Sequence, residues 1–456
     1  MPHASLRRVY CSTANVRGWY DHSVVAIQPP SPVTQPAAGT GSLSREHPTH
    51  VRHVVLGLTV AAYMITYMDR QVLAVARPVI SKELGISLVM MGWITFSFRI
   101  AYALFQIPGG WIGDRFGARR ALTLVVTWWS IFTILTGRAW NAASMLVIQV
   151  FFGMGEAGAF PIATRSLARW MRPTERGFAQ GITHAGSRLG AALTPPIVVL
   201  IMAKFGWRAA FLVFGLLGVV WSAVWYFYYR DTPEEHRGVN AAERELIGSG
   251  RKRSTEIPWR KILAHSNLWI LALMYFCYNF NLNVYNDWFP TYLHDSRGMT
   301  LAKMGLYASL PLFAGTLGDL AGGSFSDRVL RRTSNVNLAR RWVAIAGFLL
   351  SAAATIPAVL THDPRISVAF YCVAFFGLEW TVGISWAVPL DIGGDFAGSV
   401  SAVMNTLGNV GGAMSAAVVT YAATRYGWNA PFFITSALCL IAAVLYLKID
   451  ATKRIA

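Results

Sequence analysis

Long apolar runs dominate this sequence, and they limit the folds that it can adopt. A run of about 18 or more apolar residues is long enough to cross the hydrocarbon core of a bilayer as one helix. About twelve runs in the sequence reach this length. Only 14% of the residues are charged, whereas a soluble globular chain carries about 25%. The sequence therefore predicts an all-α membrane protein with about twelve transmembrane helices.

The predicted spans form two groups of six, separated by a long polar loop. The first group covers residues 53–75, 91–113, 120–137, 143–165, 177–203 and 208–229. The second group covers residues 267–292, 302–325, 341–360, 366–390, 397–423 and 430–448. These limits predict two six-helix bundles, over residues 51–229 and 263–450, joined by a linker loop over residues 230–262.

Both ends of the chain lie outside these bundles. Residues 1–50 are rich in Pro, Gly, Ser and Thr and contain no apolar stretch typical of a cleavable signal peptide. A segment of this composition cannot bury enough apolar surface to fold, so we expect a disordered N-terminal tail. Residues 451–456 form a short tail at the other end.

Basic residues are concentrated in every second loop, and the chain has a formal net charge of +18. The loops that follow spans two, four, six and eight carry these residues, as in "DRFGARR" after span two. Cytoplasmic loops of membrane proteins are enriched in Lys and Arg. We therefore expect a multi-pass protein of a bacterial-type inner membrane with both termini in the cytoplasm. Because the positive charge is concentrated in these loops between the spans, it does not indicate nucleic-acid binding.

Two pairs of motifs repeat between the halves. "GGWIGDRFGARR" at 109–120 matches "GGSFSDRVLRR" at 322–332, and both have a Gly four positions before an Asp-Arg pair. "FGWRAAF" at 205–211 matches "YGWNAPF" at 426–432. Parallel six-helix repeats are the organisation of one large transporter fold. The sequence therefore predicts two six-helix pseudo-repeats.

Several motifs resemble those of the major facilitator superfamily. The loop Gly-x-x-x-Asp-Arg-x-Gly-x-Arg-Arg after span two resembles the signature loop of that superfamily. The resemblance covers about residues 52–450. Four stretches resemble the anion:cation symporter branch, namely "YMDR", "YALFQIPGGWIGDRFG", "GEAGAFP" and "SWAVPLDIGGDFAGSVSAVMNTLGNVGG". That branch contains proton-coupled carriers of hexonates, hexuronates and glucarate, and carriers of other organic anions.

The resemblance implies a secondary active transporter that takes up an organic anion, such as a sugar acid, together with protons. Two alternatives stay open: uptake of another carboxylate, either aromatic or small and hydroxylated, and proton antiport that exports small molecules. The implied partners are the anion, protons and the lipid bilayer, and we expect a monomer. The sequence contains no Walker loop, metal-ligand cluster or nucleophile–base pair, so we expect no enzyme activity, cofactor or metal site.

Asp69 and Arg70 place two adjacent charges inside the first span. A guanidinium in a spanning helix is costly unless it is paired or hydrated, and it grips carboxylates through a planar fork. Adjacent helical side chains do not face each other, so Asp69 should point to a neighbouring helix. We expect Arg70 to bind the substrate anion, as the resemblance implies, with a structural ion pair as the alternative. Asp69 is a candidate for proton coupling.

Glu156 is another charge inside a span, in "FFGMGEAGAFP", where small neighbours allow close helix packing. A low dielectric disfavours a charged carboxylate, so such a group can bind and release a proton near neutrality. The resemblance implies proton coupling for Glu156, and a hydrogen bond between helices is the alternative. His184 in span five is a further coupling candidate because histidine titrates near neutral pH. Its alternative role is a helix contact.

One position departs from the pattern of the superfamily branch. Members of the branch often carry an Arg seven residues before the Glu, where this chain has Gln149. Arg99 lies in span two, where an apolar residue is usual. One hypothesis is that Arg99 replaces the missing charge, and the alternative is that it pairs elsewhere.

Polar residues of several spans are candidates for contact with substrate. Span seven, "YFCYNFNLNVYNDWFPTY", is too polar to face lipid, and its amides can donate and accept hydrogen bonds. Its alternating pattern also predicts a broken helix, which a membrane tolerates only along a cavity. Asp287 in this span is a candidate titratable or gating charge, and Asn405 has an interhelical hydrogen bond as its alternative role. The candidate substrate-binding residues are Arg70, Tyr102, Asn279, Asn283, Tyr285, Ser385 and Asn405.

Charged residues of the repeated Asp-Arg motifs lie at span ends on the expected cytoplasmic side. The resemblance implies that they close the inner gate and exchange ion pairs as the halves move. They should therefore affect turnover more than substrate affinity. The candidate gate residues are Asp114, Arg115, Arg119, Asp327 and Arg328.

Overall fold

The computed structural model describes residues 47–172, 175–248, 259–393 and 397–454, and most of these residues are helical. The first half contains α1 (Val51–Leu84), α2 (Leu88–Thr136), α3 (Ala142–Glu156), α4 (Ala159–Trp170), α5 (Arg176–Phe205) and α6 (Trp207–Tyr228). Two short helices follow, α7 (Ala241–Ile247) and α8 (Trp259–Ala264). The second half contains α9 (Ser266–Asn283), α10 (Phe289–Asp295), α11 (Leu301–Thr333), α12 (Val343–Leu360), α13 (Pro364–Glu379), α14 (Val382–Gly393), α15 (Ala397–Tyr426) and α16 (Asn429–Lys448).

The helices confirm the predicted all-α membrane fold. Within the described residues, nine helical segments are long and apolar enough to cross a membrane. The other predicted spans are helical too, namely 120–137, 267–292 and 302–325. The largest difference concerns the first span, which was expected to end at residue 75, whereas α1 continues to Leu84. The additional residues include Arg77, which is buried inside the protein.

The linker contains a helix that is fastened to the first half. Glu243 in α7 is fully buried, and its carboxylate accepts hydrogen bonds from the backbone N–H groups of Val51 at 3.3 Å and Arg52 at 3.1 Å. A negative charge at a helix N-terminus satisfies free N–H groups and complements the helix dipole. The linker therefore caps α1. The expected N-terminal tail as far as residue 46, and linker residues 249–258, lie outside the described residues.

Gly117, in the repeated loop motif, separates the second and third spans inside α2. Its backbone is non-helical, with φ 79° and ψ 159°, a conformation that favours glycine. The Asp231 carboxylate lies against this turn and accepts a hydrogen bond from the Arg119 N–H at 3.1 Å. A Cβ atom on Gly117 would collide with that carboxylate. Both the turn and the contact with Asp231 therefore require glycine.

The two halves pack tightly near the far face, which we define as the end of the bundle where α1 finishes at Leu84. The opposite end, which carries the linker, is the linker face. A side chain at Gly92 in α2 would collide with Thr420 in α15. A side chain at Gly305 in α11 would collide with Val199 in α5. Both contacts join helices of different halves and hold the far face closed.

Within the described residues, three spans have an irregular turn in their helix beside a buried acid. α3 ends at Glu156, and α13 ends at Glu379. α9 passes into a π-helical turn over Val284–Trp288, which contains Asp287. Both glutamates are completely buried, and Asp287 is 6% exposed. Such π turns are frequent at functional sites. The predicted break in span seven takes the form of this π turn, and the chain stays helical from Ser266 to Asp295. The three sites place acids in the protein interior.

Replacing Gly117 by alanine should destabilise the protein, because the new methyl group would strain the turn and displace Asp231. We expect a loss of about 1–3 kcal/mol, measured as a lower melting temperature of the detergent-solubilised protein. Gly57→Ala is the matched control, because Gly57 lies in α1 and a Cβ there would have no neighbour within 4 Å. Equal melting temperatures for the two variants would contradict the role of Gly117.

Candidate substrate and proton site

Arg70 and Glu156 form a buried ion pair between α1 and α3. The Arg70 Nε donates to Glu156 Oε1 at 2.8 Å, and the arginine side chain is 12% exposed while that of the glutamate is fully buried. Aromatic rings enclose the guanidinium, whose Cζ lies 4.8 Å from the ring centre of Tyr102, 5.2 Å from that of Tyr67 and 5.5 Å from that of Phe98. The fold therefore brings Arg70, Tyr102 and Glu156 together.

This ion pair leaves polar atoms unsatisfied. Arg70 Nη2 and Glu156 Oε2 are buried and have no hydrogen-bond partner among the described residues. A buried polar atom without a partner costs about 1–3 kcal/mol, and more when the group is charged. Such an atom in a native structure requires an explanation, and a ligand or a proton can provide one.

Asp69 turns to α2, as expected for the helical neighbour of Arg70. Its Oδ2 accepts a hydrogen bond from Trp129 Nε1 at 3.0 Å, and its Oδ1 is buried with no partner among the described residues. A cavity of about 20 Å³ lies beside Asp69 and is also lined by Arg70, Gln149 and Asp287. This volume has room for about one water molecule. Such a water would connect Asp69 with polar groups of both halves.

Arg99 has an acidic partner in the second half. Its Nη2 lies 3.0 and 2.8 Å from the two carboxylate oxygens of Asp287, and both residues are buried. Gln149, the position of the missing charge, donates to Thr136 Oγ1 at 3.1 Å. Arg99 therefore pairs with an acid of the second half, 188 residues away in the sequence, and its replacement of the charge missing at Gln149 stays a prediction.

Arg77 joins this cluster, although no sequence motif singles it out. It donates to the backbone carbonyl of Asp287, and its Cζ lies 3.9 Å from the ring centre of Trp288. A signal was present in the sequence, because Arg77 follows Arg70 by seven residues and so lies two turns further on the same helix face. Arg77 and Arg99 together hold the broken helix at Asp287 against the first half.

A further buried ion pair joins the two halves. Arg188 Nη2 in α5 lies 2.9 Å from Glu379 Oε2 in α13. The Tyr278 hydroxyl donates to Glu379 Oε1 at 3.0 Å, and Arg188 Nη2 donates to the Tyr278 oxygen at 3.2 Å. The Arg188 side chain is 11% exposed, and the Glu379 side chain is fully buried. A cation of the first half therefore faces an acid of the second half.

His184 lies one turn before Arg188 and packs among aromatic rings. Its ring centre is 5.8 Å from that of Tyr63, 6.4 Å from that of Phe160 and 6.2 Å from that of Trp386. This packing fits the alternative role of a helix contact. The proton-coupling role of His184 stays a prediction.

Asn279 and Asn283 pack on α15. Their amides donate to backbone carbonyls one turn earlier in α9, at 3.3 Å to Tyr275 and at 2.7 Å to Asn279. Side chains at Gly408 or Gly412 of α15 would collide with these amides. The geometry therefore favours helix packing for both asparagines, and their predicted contact with substrate hydroxyls receives no support from it.

Tyr285 and Ser385 lie in the core of the second half. The Tyr285 ring centre is 4.6 Å from that of Phe375, and the Ser385 hydroxyl is 3.0 Å from the Tyr446 hydroxyl. Both residues are buried, and these contacts favour packing over the predicted substrate contact. Asn405 is half-buried on α15, and its role in substrate binding stays a prediction.

Two of the predicted gate residues have partners within their own half. Arg119 Nε donates at 2.8 Å to the carbonyl of Tyr226 in α6. Asp327 pairs with Arg340 at 3.1 Å. The exchange of ion pairs between the halves stays a prediction. Arg115 and Arg328 are exposed, and the side chain of Asp114 lies outside the part that the structure describes.

Several curated transporters are similar to this chain over most of its length. The probable sulfoacetate transporter SauU of Cupriavidus necator is 39% identical over 405 residues, which cover 88% of this chain and 94% of that protein. The hexuronate transporter of Bacillus subtilis is 31% identical, with coverages of 87% and 93%. The probable galactarate/D-glucarate transporter GarP of Escherichia coli K12 is 32% identical, with coverages of 87% and 94%.

A solved structure and a family model indicate the same class of protein as these relatives. A bacterial homologue of the human lysosomal transporter Spinster, in an inward-facing and unoccupied conformation, has the same fold, with a TM-score of 0.74 and 18% identity. The match covers 88% of this chain and 97% of that structure. The model of the Major Facilitator Superfamily matches residues 59–416. The chain therefore belongs to the Major Facilitator Superfamily and is a membrane transporter, not an enzyme.

Proposed function

We propose that this transporter carries an organic anion and protons into the cell by symport. The observation that best supports this function is the Arg70–Glu156 pair, in which a buried cation and a buried acid are each left with one unpaired polar atom. A cation that can release its acid partner is suited to bind a substrate anion. The released acid is then suited to bind a proton, so that one pair of side chains couples the two fluxes.

The coupling follows from the cost of buried charge. When a substrate carboxylate binds the guanidinium of Arg70, Glu156 loses its partner in surroundings without water. Breaking a buried ion pair costs about 3–5 kcal/mol, because it leaves an uncompensated charge. Glu156 avoids this cost by binding a proton. Asp69, with one unpaired oxygen on the other side of α1, is a second acceptor, and His184 is a third candidate.

We infer that the substrate is an acid of the kind that the names of the relatives specify. Sulfoacetate, hexuronate and galactarate or D-glucarate all carry a carboxylate, which fits the planar fork of an arginine. A sugar acid, such as a hexonate, hexarate or hexuronate, is the first candidate. The 39% identity to a carrier named for sulfoacetate favours a smaller acid as the second. Export by antiport is less favoured, because a charged pair does not suit hydrophobic compounds.

We infer that the protein is a monomer of the inner membrane with both termini in the cytoplasm, as the basic loops indicate. The far face is then the outer side, and its packed contacts correspond to an inward-facing state. Outward opening requires that Arg77 and Arg99 release Asp287. The predicted gate residues at the linker face would close the opposite side.

Replacing Glu156 by glutamine should separate transport from proton coupling. Glutamine keeps the size of the side chain but cannot bind and release a proton. One coupled proton and a gradient of one pH unit sustain about a tenfold accumulation of substrate, and this accumulation should disappear in proteoliposomes. Exchange of labelled for unlabelled substrate should persist, because it requires no net movement of protons.

Glu234→Gln is the matched control for this experiment, because Glu234 is exposed in the linker. It should leave both accumulation and exchange unchanged. Full pH-driven accumulation by the Glu156→Gln protein would contradict the coupling role of Glu156.

Replacing Asp287 by asparagine should open the far face more often. The change leaves the buried Arg99 without its charged partner, which costs about 3–5 kcal/mol in the closed state. A cysteine that replaces Thr420, which packs on Gly92, reports this opening. In a background without the native cysteines, its reaction with a membrane-impermeant thiol reagent should be at least about tenfold faster in the Asp287→Asn protein.

Arg208→Gln controls for a general loosening of the far face. Arg208 pairs with Glu83 at 2.5 Å, but both side chains are nearly half exposed. An exposed ion pair contributes about 0–1 kcal/mol, so the labelling rate should not change. An Asp287→Asn protein that reacts no faster than its parent would refute the closing role of the Arg99–Asp287 pair.

A further inference from the structure

The proposed function uses the Arg70–Glu156 pair and leaves the Arg188–Glu379 pair without a role. We propose that Arg188 forms a second anion subsite, so that the substrate is a small acid with two anionic groups, one held by Arg70 and the other by Arg188. This inference rests on the proposed function and specifies its substrate class. In this proposal, Glu379 binds a second proton.

The two pairs have the same construction. In each, an arginine of the first half is paired with a glutamate at the end of a broken helix, α3 or α13. The N–O distances are 2.8 and 2.9 Å, the arginines are 12% and 11% exposed, and both glutamate side chains are fully buried. Both acids also follow a Phe-Phe-Gly triplet, by three positions in "FFGMGE" at 151–156 and by two in "FFGLE" at 375–379. Two sites built alike are suited to bind groups of the same charge.

Tyr67 lies beside the first pair, and ring contacts lead from it to the helix of the second pair. Its ring centre is 5.2 Å from the Arg70 Cζ. The Tyr67 ring is 6.3 Å from that of Phe160, which stacks on His184, one turn before Arg188. A chain of aromatic side chains therefore connects the surroundings of the two arginines.

Charge balance favours a substrate with two anionic groups. A dianion that binds both guanidinium groups displaces both glutamates, and each glutamate then binds a proton. Two negative charges and two protons enter together, so the total buried charge stays constant. A monoanion that displaced both glutamates would leave one arginine uncompensated, which is costly inside the membrane.

Other titratable groups that act on the second pair come from four helices. They are Tyr67 of α1, His184 of α5, Tyr278 of α9 and Asp319 of α11. Asp319 is another carboxylate within electrostatic range of Glu379, and Tyr278 is hydrogen-bonded to both members of the pair. The surroundings of the second pair therefore contain groups that can accept a proton when Arg188 binds the substrate.

The test compares acids that share a carbon skeleton and differ in the number of acidic groups, D-glucarate with D-gluconate and succinate with butyrate. Uptake into proteoliposomes is measured together with the internal pH, which gives the number of protons per substrate. The wild type should favour the dianion of at least one pair by about tenfold or more. It should carry two protons with each dianion.

Variants of the second pair distinguish two roles for it, an anion subsite and a purely structural connection between the halves. Arg188→Gln should weaken dianion uptake at least about tenfold and bring the two acids of each pair to similar rates. Glu379→Gln should keep the preference for the dianion and lower the protons per dianion from two to one, which loss of a structural connection would not do. Arg208→Gln, which changes an exposed pair, should keep both the preference and the proton number.

Three results would overturn the second subsite and leave the proposed function in place. They are an equal loss of both acids in Arg188→Gln, two protons per dianion in Glu379→Gln, and a wild-type preference for the monoanion. If the wild type carries none of the four acids with protons, the proposed function fails and this inference with it. Should Arg188→Gln not fold, Arg188→Lys replaces it, because lysine keeps the charge, loses the planar fork and should lower the preference.

Discussion

The pairing of buried charges is the constraint on which this structure depends. A guanidinium inside the membrane must have an acid or an acceptor beside it, because an unpaired charge there is costly. Three arginines of the first half meet this requirement with an acid that lies at a break in a helix. The pairs are Arg70–Glu156, Arg99–Asp287 and Arg188–Glu379. Helix breaks and charge pairs therefore occur at the same places, and under the proposed function they mark where substrate and protons act.

The three pairs differ in which parts of the protein they connect. Arg99–Asp287 and Arg188–Glu379 join the two halves, so movement of the halves must break or shift them. Arg70–Glu156 lies within the first half, so movement of the halves alone does not break it. A substrate anion and a proton can do so together. Under the proposed function, this division separates the pair that couples the fluxes from a pair that closes the far face. The proposed second subsite then gives Arg188 a part in both binding and closure.

Much of the fold could be predicted from the sequence, because its signals are local: apolar runs, basic loops and repeated motifs. The partner of Arg99 could not be predicted, because Asp287 is 188 residues away and sequence alone does not show which distant spans lie together. The predicted first span ended at residue 75, whereas α1 continues to Leu84 and buries Arg77 inside the protein. The polarity of Asn279 and Asn283 was visible, but it does not reveal whether a side chain faces a cavity or the glycines of a neighbouring helix.

The central claim is that substrate takes the place of Glu156 on Arg70, so that the anion and a proton move together. The most direct measurement is the internal pH of proteoliposomes that contain the wild-type protein, while sugar acids and smaller organic acids are added outside. We expect at least one acid to acidify the interior in proportion to its own uptake. Accumulation of that acid with no change in internal pH would contradict the claim.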